Sequence, residues 1–289
     1  LGVNIYCNKK LGDNLSYSDL KNKYQSVILT IGSQKGTLLG TEGEDAEGVY
    51  SGIDFLRNME ATGQKADFRG KTVVVVGGGN TAMDCCRTSI RCKAEKVYVV
   101  YRRTEKEMPA NPIEIHESKI EGVEYLFLTN PVKVNKTSDG KLESVRLIKM
   151  ALGEPDASGR RRPVEVPGSE FDLKTDFILA AIGQKTDVNF LDDINRFAEN
   201  GALKINKWGD IDVDPISLQT GIAGVFAAGD GVSGPATIIE AVAQAQTASA
   251  SCHQYLMGEN INLDPAEFVS RKDHFNKLNE SDFKGHFAI

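Results

Sequence analysis

Long apolar runs are missing from this 289-residue chain. No stretch approaches the roughly 20 consecutive apolar residues of a membrane helix, and no signal peptide is visible. The expectation is a soluble chain with no membrane partner. Cysteine is sparse: Cys7, Cys85, Cys86, Cys92 and Cys252. An odd number in a chain of this size argues against a disulfide framework and fits a reducing compartment, the cytoplasm. Cys85 and Cys86 are neighbours on a predicted helix, where adjacent side chains point about 100° apart. They suit neither a bridge nor a shared metal site, and helix core packing is the expectation. The four histidines, His116, His253, His274 and His286, show no ligand spacing, so no metal site is expected. Excess basic charge is also absent. With 34 Lys and Arg against 40 Asp and Glu, the net charge of −6 implies no nucleic-acid surface. The tight basic cluster Arg160-Arg161-Arg162 follows Pro155 to Gly159 and precedes Pro163. It reads as a solvated hairpin tip; the alternative is a docking surface for an acidic partner.

What the chain does have is one decisive local pattern. Val73 to Val76 run directly into Gly77, Gly78 and Gly79, then Asn80, Thr81 and Ala82. A buried strand, a tight turn and a helix N-terminus in that order can hold a dinucleotide pyrophosphate. Gly77 permits the turn, Gly79 lets the backbone approach the phosphates, and Ala82 takes the small position where helix meets strand. The helix N-terminus offers unpaired N–H groups and partial positive charge to an anion, which makes Asn80 and Thr81 part of the candidate site. A helix over about 80–92 leads to a second strand, Lys96 to Tyr101, completing a βαβ unit. At its tip stand Arg102 and Arg103. A carboxylate here would accept from a ribose 2′-hydroxyl and repel a 2′-phosphate, whereas a guanidinium pair binds that phosphate. NADP is therefore expected over NAD, the alternative being a solvated strand end.

Composition, 40% hydrophobic and 26% charged, suits one large or two medium domains. An internal repeat supports two. Ser26 to Gly32 and Phe177 to Gln184 are two copies of a short apolar strand closed by Ile-Gly, where the chain is expected to turn and leave its lobe. Between them lie the βαβ unit, a helix at Pro112 to Ile120, and strand-like stretches at 124–128, 132–134, 142–150 and 162–166. These stretches are expected as an antiparallel meander inserted before the last parallel strand. Residues 52–59 look helical. Residues 208–213 alternate like a strand, and 224–230 give a small buried strand ending in Gly229-Asp230. A glycine-rich turn then leads through Pro235, Ala236 and Thr237 into a helix from Ile238 to Leu256. The opening residues look polar and strand-like, and the chain reads as a fragment of something longer.

Gly221 to Asp230 resembles the second FAD motif of two-dinucleotide-domain flavoproteins. Gly77 to Asp84, Tyr101 to Ala110 and Ala181 to Gln184 extend the likeness, and together the segments resemble the glutamate synthase small (β) subunit family. The resemblance implies an α/β fold of two Rossmann-like, three-layer lobes of the FAD/NAD(P)-binding flavoprotein type. It implies hydride transfer from NADPH to FAD, with electrons passing onward to a partner subunit or iron–sulfur centre. Asp230 would accept from the flavin ribityl chain, and Gly229, Gly32 and the helix start at Pro235, Ala236 and Thr237 would join the FAD site. The nicotinamide would lie beside Ile182, Gly183 and Gln184. The family's cysteine-rich iron–sulfur region and first FAD glycine turn are not in this sequence, so iron–sulfur clusters are expected only in a missing N-terminal region and the FAD lobe is expected to be incomplete. The implied division is 1–52 as an FAD-lobe remnant, 53–184 as the NADP lobe, 185–258 as the rest of the FAD lobe, and 259–289 as an extension. No residue is assigned as general acid or base. A thioredoxin-reductase-like disulfide reductase and a flavin-free NADP-binding scaffold stand as alternatives.

Overall fold

The computed structural model describes residues 2–63, 65–155 and 159–261. Most of the expected 259–289 extension, with His274 and His286, lies outside the described residues, as do 156–158 of the expected hairpin tip.

The elements follow the chain as α1 (Tyr17–Lys23), β1 (Val27–Leu29), β2 (Lys35–Gly36), β3 (Val49–Ser51), α2 (Gly52–Thr62), β4 (Thr72–Val76), α3 (Asn80–Arg91), β5 (Lys96–Tyr101), α4 (Pro112–Ile120) and β6 (Glu124–Phe127). Then come β7 (Thr129–Lys136), β8 (Leu142–Pro155), β9 (Arg161–Glu165), β10 (Phe171–Lys174), β11 (Phe177–Ala180), β12 (Gln184–Lys185), α5 (Leu191–Phe197), β13 (Val225–Ala227), α6 (Asp230–Ser233) and α7 (Ile238–Leu256).

A five-stranded parallel sheet in the order β3-β11-β4-β5-β6 forms the larger lobe. The run of valines in β4 explains its central place. Val73 and Val75 pack with Ala82, Met83, Cys85 and Cys86 of α3. Val74 and Val76 face the other way, against Val134, Val145 and Leu147 of the meander. A strand covered on both faces has no need of polar alternation, and each fully buried valine contributes about 2 kcal/mol. The layers are therefore helices, parallel sheet and antiparallel meander.

The meander differs from expectation in one respect. The 124–128 stretch does not belong to it: β6 joins β5 in parallel, Tyr98 opposite Glu124. An apolar strand pattern carries no direction, so sequence alone could not assign it. The chain reverses at Leu128, whose φ of 49° marks the corner, and the meander proper is β7 to β10 around the long strand β8.

The smaller lobe centres on a two-stranded parallel sheet, β1 with β13. Tyr17, Leu29, Ile194, Leu203 and Val225 fill one face, while Phe226 and Ala248 pack on the α7 side. Residues 208–213 form only isolated bridges, Ile205 to Ile211 and Val213 to Thr220, rather than a regular strand. The opening residues 2–10 are likewise not a strand. The starts of α1, α4 and α7 carry side-chain caps that suit them: Ser16 with Asp19 at α1, Asn111 with Pro112 at α4, and Thr237 with Glu240 at α7. Among the described residues no helix is long and apolar enough to cross a membrane.

The two Ile-Gly exits join the lobes. Immediately after them, β2 and β12 pair antiparallel, Gly36 opposite Gln184, so the two crossings form one ribbon.

Candidate functional site

A cleft of about 800 Å³ lies where that ribbon meets the larger lobe. Its wall includes Gly77, Gly79, Asn80 and Thr81 from the β4–α3 turn, Arg102 and Arg103 after β5, and Ile182, Gly183 and Gln184 from the crossing. Asp230, Pro235, Ala236 and Thr237 line it from the smaller lobe. Most sequence-predicted site residues thus share one hollow. Gly32, Gly78 and Gly229 do not line it.

Each glycine of the turn has a different job. Gly77 has φ 143°, and a Cβ there would lie 2.2 Å from the Ala181 carbonyl oxygen. It is needed for the close approach of β4 to the crossing. A Cβ on Gly78 would strike the Tyr101 ring at 2.6 Å, so Gly78 seats that ring beneath the turn. At Gly79 the nearest atom to a Cβ is Pro109 Cγ, at 4.0 Å. Gly79 therefore faces open space, as the approach of a phosphate requires.

Gly79 caps α3 without any side-chain hydrogen bond, which leaves the first N–H groups of the helix to a ligand. The Asn80 side chain is occupied: its Oδ1 accepts from the Asn111 N–H at 2.9 Å, tying α3 to α4. Behind the turn, the Tyr101 hydroxyl donates to the Glu107 carbonyl at 2.7 Å and the Ala110 N–H donates to the Gly78 carbonyl at 3.1 Å. A capping box of Thr104 and Glu107 folds the loop between them. The same hydrogen bonds from Thr104 hold the Glu107 carboxyl below the ordinary range.

The two arginines after β5 part company. Arg102 is exposed, whereas Arg103 is only 5% exposed. Its Nε donates to the Arg161 carbonyl at 2.7 Å, binding the β8–β9 hairpin to the strand end. Residue alternation carries this signal: Tyr101 and Arg103 face in, Arg102 out. Arg160, read from sequence as part of a solvated tip or docking surface, lines the cleft.

On the smaller lobe, Gly229 has φ 76° and its N–H donates to Gln244 Oε1 at 2.7 Å. Asp230 Oδ1 accepts from the Ala236 N–H at 3.3 Å. Sequence reading missed a polar core behind this loop. Thr186 Oγ1 donates to Asp210 Oδ1 at 3.1 Å and lies 3.1 Å from Ser33 Oγ, which donates to the Asp230 carbonyl at 2.8 Å. Ser33 and Thr186 each follow one Ile-Gly exit, the positional hint that was available.

A second hollow, about 880 Å³, lies on the meander and carries none of these residues. Its charges largely pair with each other, Lys133 with Glu42, Lys136 with Asp45 and Arg146 with Asp172. That mutual neutralisation leaves little for a charged ligand to answer. Cys85, Cys86 and Cys92 are buried in the α3 packing, as expected. Among the described residues no cluster of His, Cys, Asp or Glu could hold a metal ion.

Comparison with known proteins gives a consistent picture. The family described as pyridine nucleotide-disulphide oxidoreductase matches residues 3–245. The chain is 42% identical over 258 residues to the NADP(+)-dependent formate dehydrogenase subunit beta of Moorella thermoacetica, covering 89% of this chain and 35% of that one. It is 38% identical to the NADPH-Fe(3+) oxidoreductase subunit beta of Geobacter sulfurreducens, covering 89% and 40%. The resemblance to glutamate synthase small subunits holds as well: identity to the Escherichia coli glutamate synthase (NADPH) small chain is 33%, covering 86% and 54%. The chain thus spans about a third to a half of these relatives. Among solved structures, Mycobacterium tuberculosis FprA in complex with NADPH superimposes with TM-score 0.70 at 18% identity, covering 87% of this chain and 68% of that one. T. acidophilum thioredoxin reductase gives TM-score 0.57 at 22% identity, covering 81% of this chain and 66% of that one. Both show the two-lobed fold.

Proposed function

The chain belongs to the pyridine nucleotide-disulphide oxidoreductase family, and from that premise we propose that the intact protein is an NADPH-dependent flavin oxidoreductase. One observation carries the reading. Gly77, Gly79, Asn80 and Thr81 of the glycine turn and Asp230, Pro235, Ala236 and Thr237 of the Gly-Asp loop, far apart in sequence, line the same cleft.

The residues fit NADPH. Open space in front of Gly79 and the uncapped start of α3 form a pyrophosphate cradle. Arg102 and Arg103 supply the positive charge for a 2′-phosphate, and Ile182, Gly183 and Gln184 flank the nicotinamide end. FAD would be held in part by Asp230, the Gly32 and Gly229 turns, and the start of α7 at Pro235 to Thr237. Since this chain covers 35% and 54% of two of the relatives it matches, we infer that further chain completes that lobe. Its sheet has two strands here, and Ile238 and Ile239 of α7 are 84% and 82% exposed. Apolar side chains so placed support further packing against the smaller lobe.

Hydride transfer is the chemistry that the paired cofactors supply when bound. The residues of this chain bind, orient and exclude water; none is assigned to proton transfer. Electrons then pass to a partner subunit or to an iron–sulfur centre outside this chain. The naming of two relatives as beta subunits supports such a partner, and a glutamate synthase large subunit is one candidate. Disulfide reduction has less support, because Cys85 and Cys86 are buried and burial raises both thiols.

The test is purification of the intact protein followed by spectroscopy and turnover. Visible flavin absorbance that bleaches anaerobically with NADPH, faster than with NADH, is the expected result. A colourless protein that binds NADP would favour the scaffold reading. A thiol titre that rises with NADPH would favour disulfide reduction.

A further inference from the structure

The arginines of the β8–β9 hairpin do three different things. Arg161 folds back on its own hairpin, its Nε donating to the Gly153 carbonyl at 3.2 Å and its Nη2 to the Leu152 carbonyl at 2.7 Å. Its carbonyl accepts from Arg103 Nε at 2.7 Å. Arg161 therefore fastens the start of β9 both to β8 and to the end of β5. Arg162 is exposed and takes no part in the cleft wall. Arg160, immediately before the fastened residue, lines the same cleft as Arg102 and Arg103.

We infer that Arg160 is a specificity-determining residue for the coenzyme, the third guanidinium of a site for a phosphate monoester on the adenosine ribose. The inference rests on the NADPH reading above and deepens it. A phosphate monoester carries a charge of about −1.5 to −2 near pH 7, more than one exposed arginine balances. Arg103 has its Nε committed to the hairpin, so its second service is to hold Arg160 in place. Three arginines and one carboxylate, Asp230, make up the charged part of the described cleft wall, and Asp230 comes from the other lobe. The site end is therefore cationic although the whole chain carries a net charge of −6. Guanidinium groups suit the role because each offers several N–H donors in one plane.

The experiment is calorimetric titration of this chain with 2′,5′-ADP and with 5′-AMP, for the wild type and for Arg160→Gln, Arg102→Gln and Arg162→Gln. Arg160→Gln is expected to weaken 2′,5′-ADP about 10-fold at low salt, the size of one charge-assisted hydrogen bond near a surface. Its 5′-AMP affinity stays within about twofold, and Arg162→Gln behaves as wild type. The loss shrinks as salt screens the charge. If Arg160→Gln keeps wild-type affinity while Arg102→Gln loses it, the inference is overturned and the NADPH reading stands. Equal weakening of both ligands also overturns it, because Arg160 would then act through the shape of the cleft. A wild type that does not prefer 2′,5′-ADP to 5′-AMP overturns both.

Discussion

Gln184 Nε2 donates to Thr81 Oγ1 across 3.2 Å. The bond joins a residue of the inter-lobe ribbon to the first turn of α3, so the crossing and the proposed phosphate cradle are held in register. Breaking a half-buried hydrogen bond of this kind costs about 1 kcal/mol. Thr81→Val and Gln184→Leu are therefore expected to be sub-additive, with a coupling of about 0.5–1.5 kcal/mol in a urea-unfolding double-mutant cycle. Both should also raise the KM for NADPH a few-fold. Strict additivity would show that the contact carries no energy.

The glycines of the turn should separate folding from binding. Gly77→Ala puts a Cβ 2.2 Å from the Ala181 carbonyl oxygen at a φ of 143°, and is expected to destabilise the chain by at least about 3 kcal/mol. Gly79→Ala meets no protein atom nearer than 4.0 Å at an extended φ of −93°. It should fold with a Tm within about 2 °C of wild type and lose NADPH affinity by about 10-fold or more, one backbone–phosphate contact. Calorimetry of both proteins checks the contrast; a Gly79→Ala chain that binds normally removes the cradle.

The arginine pair should divide in the same way. Arg102→Ala changes an exposed residue, so stability should move by no more than about 0.5 kcal/mol while NADPH binding weakens about 10-fold against unchanged NADH binding. Arg103→Ala also strands the Arg161 carbonyl and should cost about 1–3 kcal/mol of stability. Steady-state kinetics with both coenzymes, beside urea melts, gives the answer. An unchanged NADPH/NADH preference in the double variant would end the phosphate assignment.

Much of this arrangement was legible because it is local. The β4 valines, the glycine turn and α3 declare themselves within about twenty residues, and α4 and α7 carry cap residues at their starts. What needed the fold is non-local. The pairing of β11 between β3 and β4 depends on strands distant in sequence, and β6 shows the same apolar pattern in either direction. The meeting of Asp230 with Gly77 follows from how β2 and β12 cross together. Strand alternation hinted that Arg103 faces in and Arg102 out, but the β8–β9 hairpin that Arg103 binds is supplied only by the fold.

The cysteines of α3 give a pH signature. Burial pushes the Cys86 thiol up to about 12 from an ordinary value of 9.0 and raises Cys85 as well. Well below pH 9 both thiols are protonated whether the chain is folded or not, and pH has no effect through them. Above pH 9 the unfolded chain releases protons that the folded chain retains, so stability falls as pH rises toward the folded value. The slope is about 1.4 kcal/mol per pH unit for each thiol. Urea melts between pH 8 and 10.5 should show this decline, and Cys85→Ala/Cys86→Ala should flatten it even though cavities lower its stability throughout. An equally steep decline in the double variant would assign the effect elsewhere. A thiol reagent should meanwhile label exposed Cys7 in the native chain and reach Cys85 and Cys86 only after unfolding.

Thr186 supplies the last test, because its hydroxyl is the middle member of the polar core behind the Gly-Asp loop. Asp210 is 8% exposed, and Thr186 Oγ1 donates to its carboxyl at 3.1 Å. Thr186→Val preserves shape while withdrawing that donor from a buried carboxyl, which costs about 2 kcal/mol. Thr186→Ser restores the hydroxyl and should recover most of the loss. Neither change touches the β4–α3 turn, so NADPH affinity should stay within about twofold in both. In the intact protein, Thr186→Val should slow flavin reduction measured by stopped flow, since Ser33 and Thr186 link both crossings to the Asp230 loop. Equal stability of the valine and serine variants would mean that this network does not hold the lobes together.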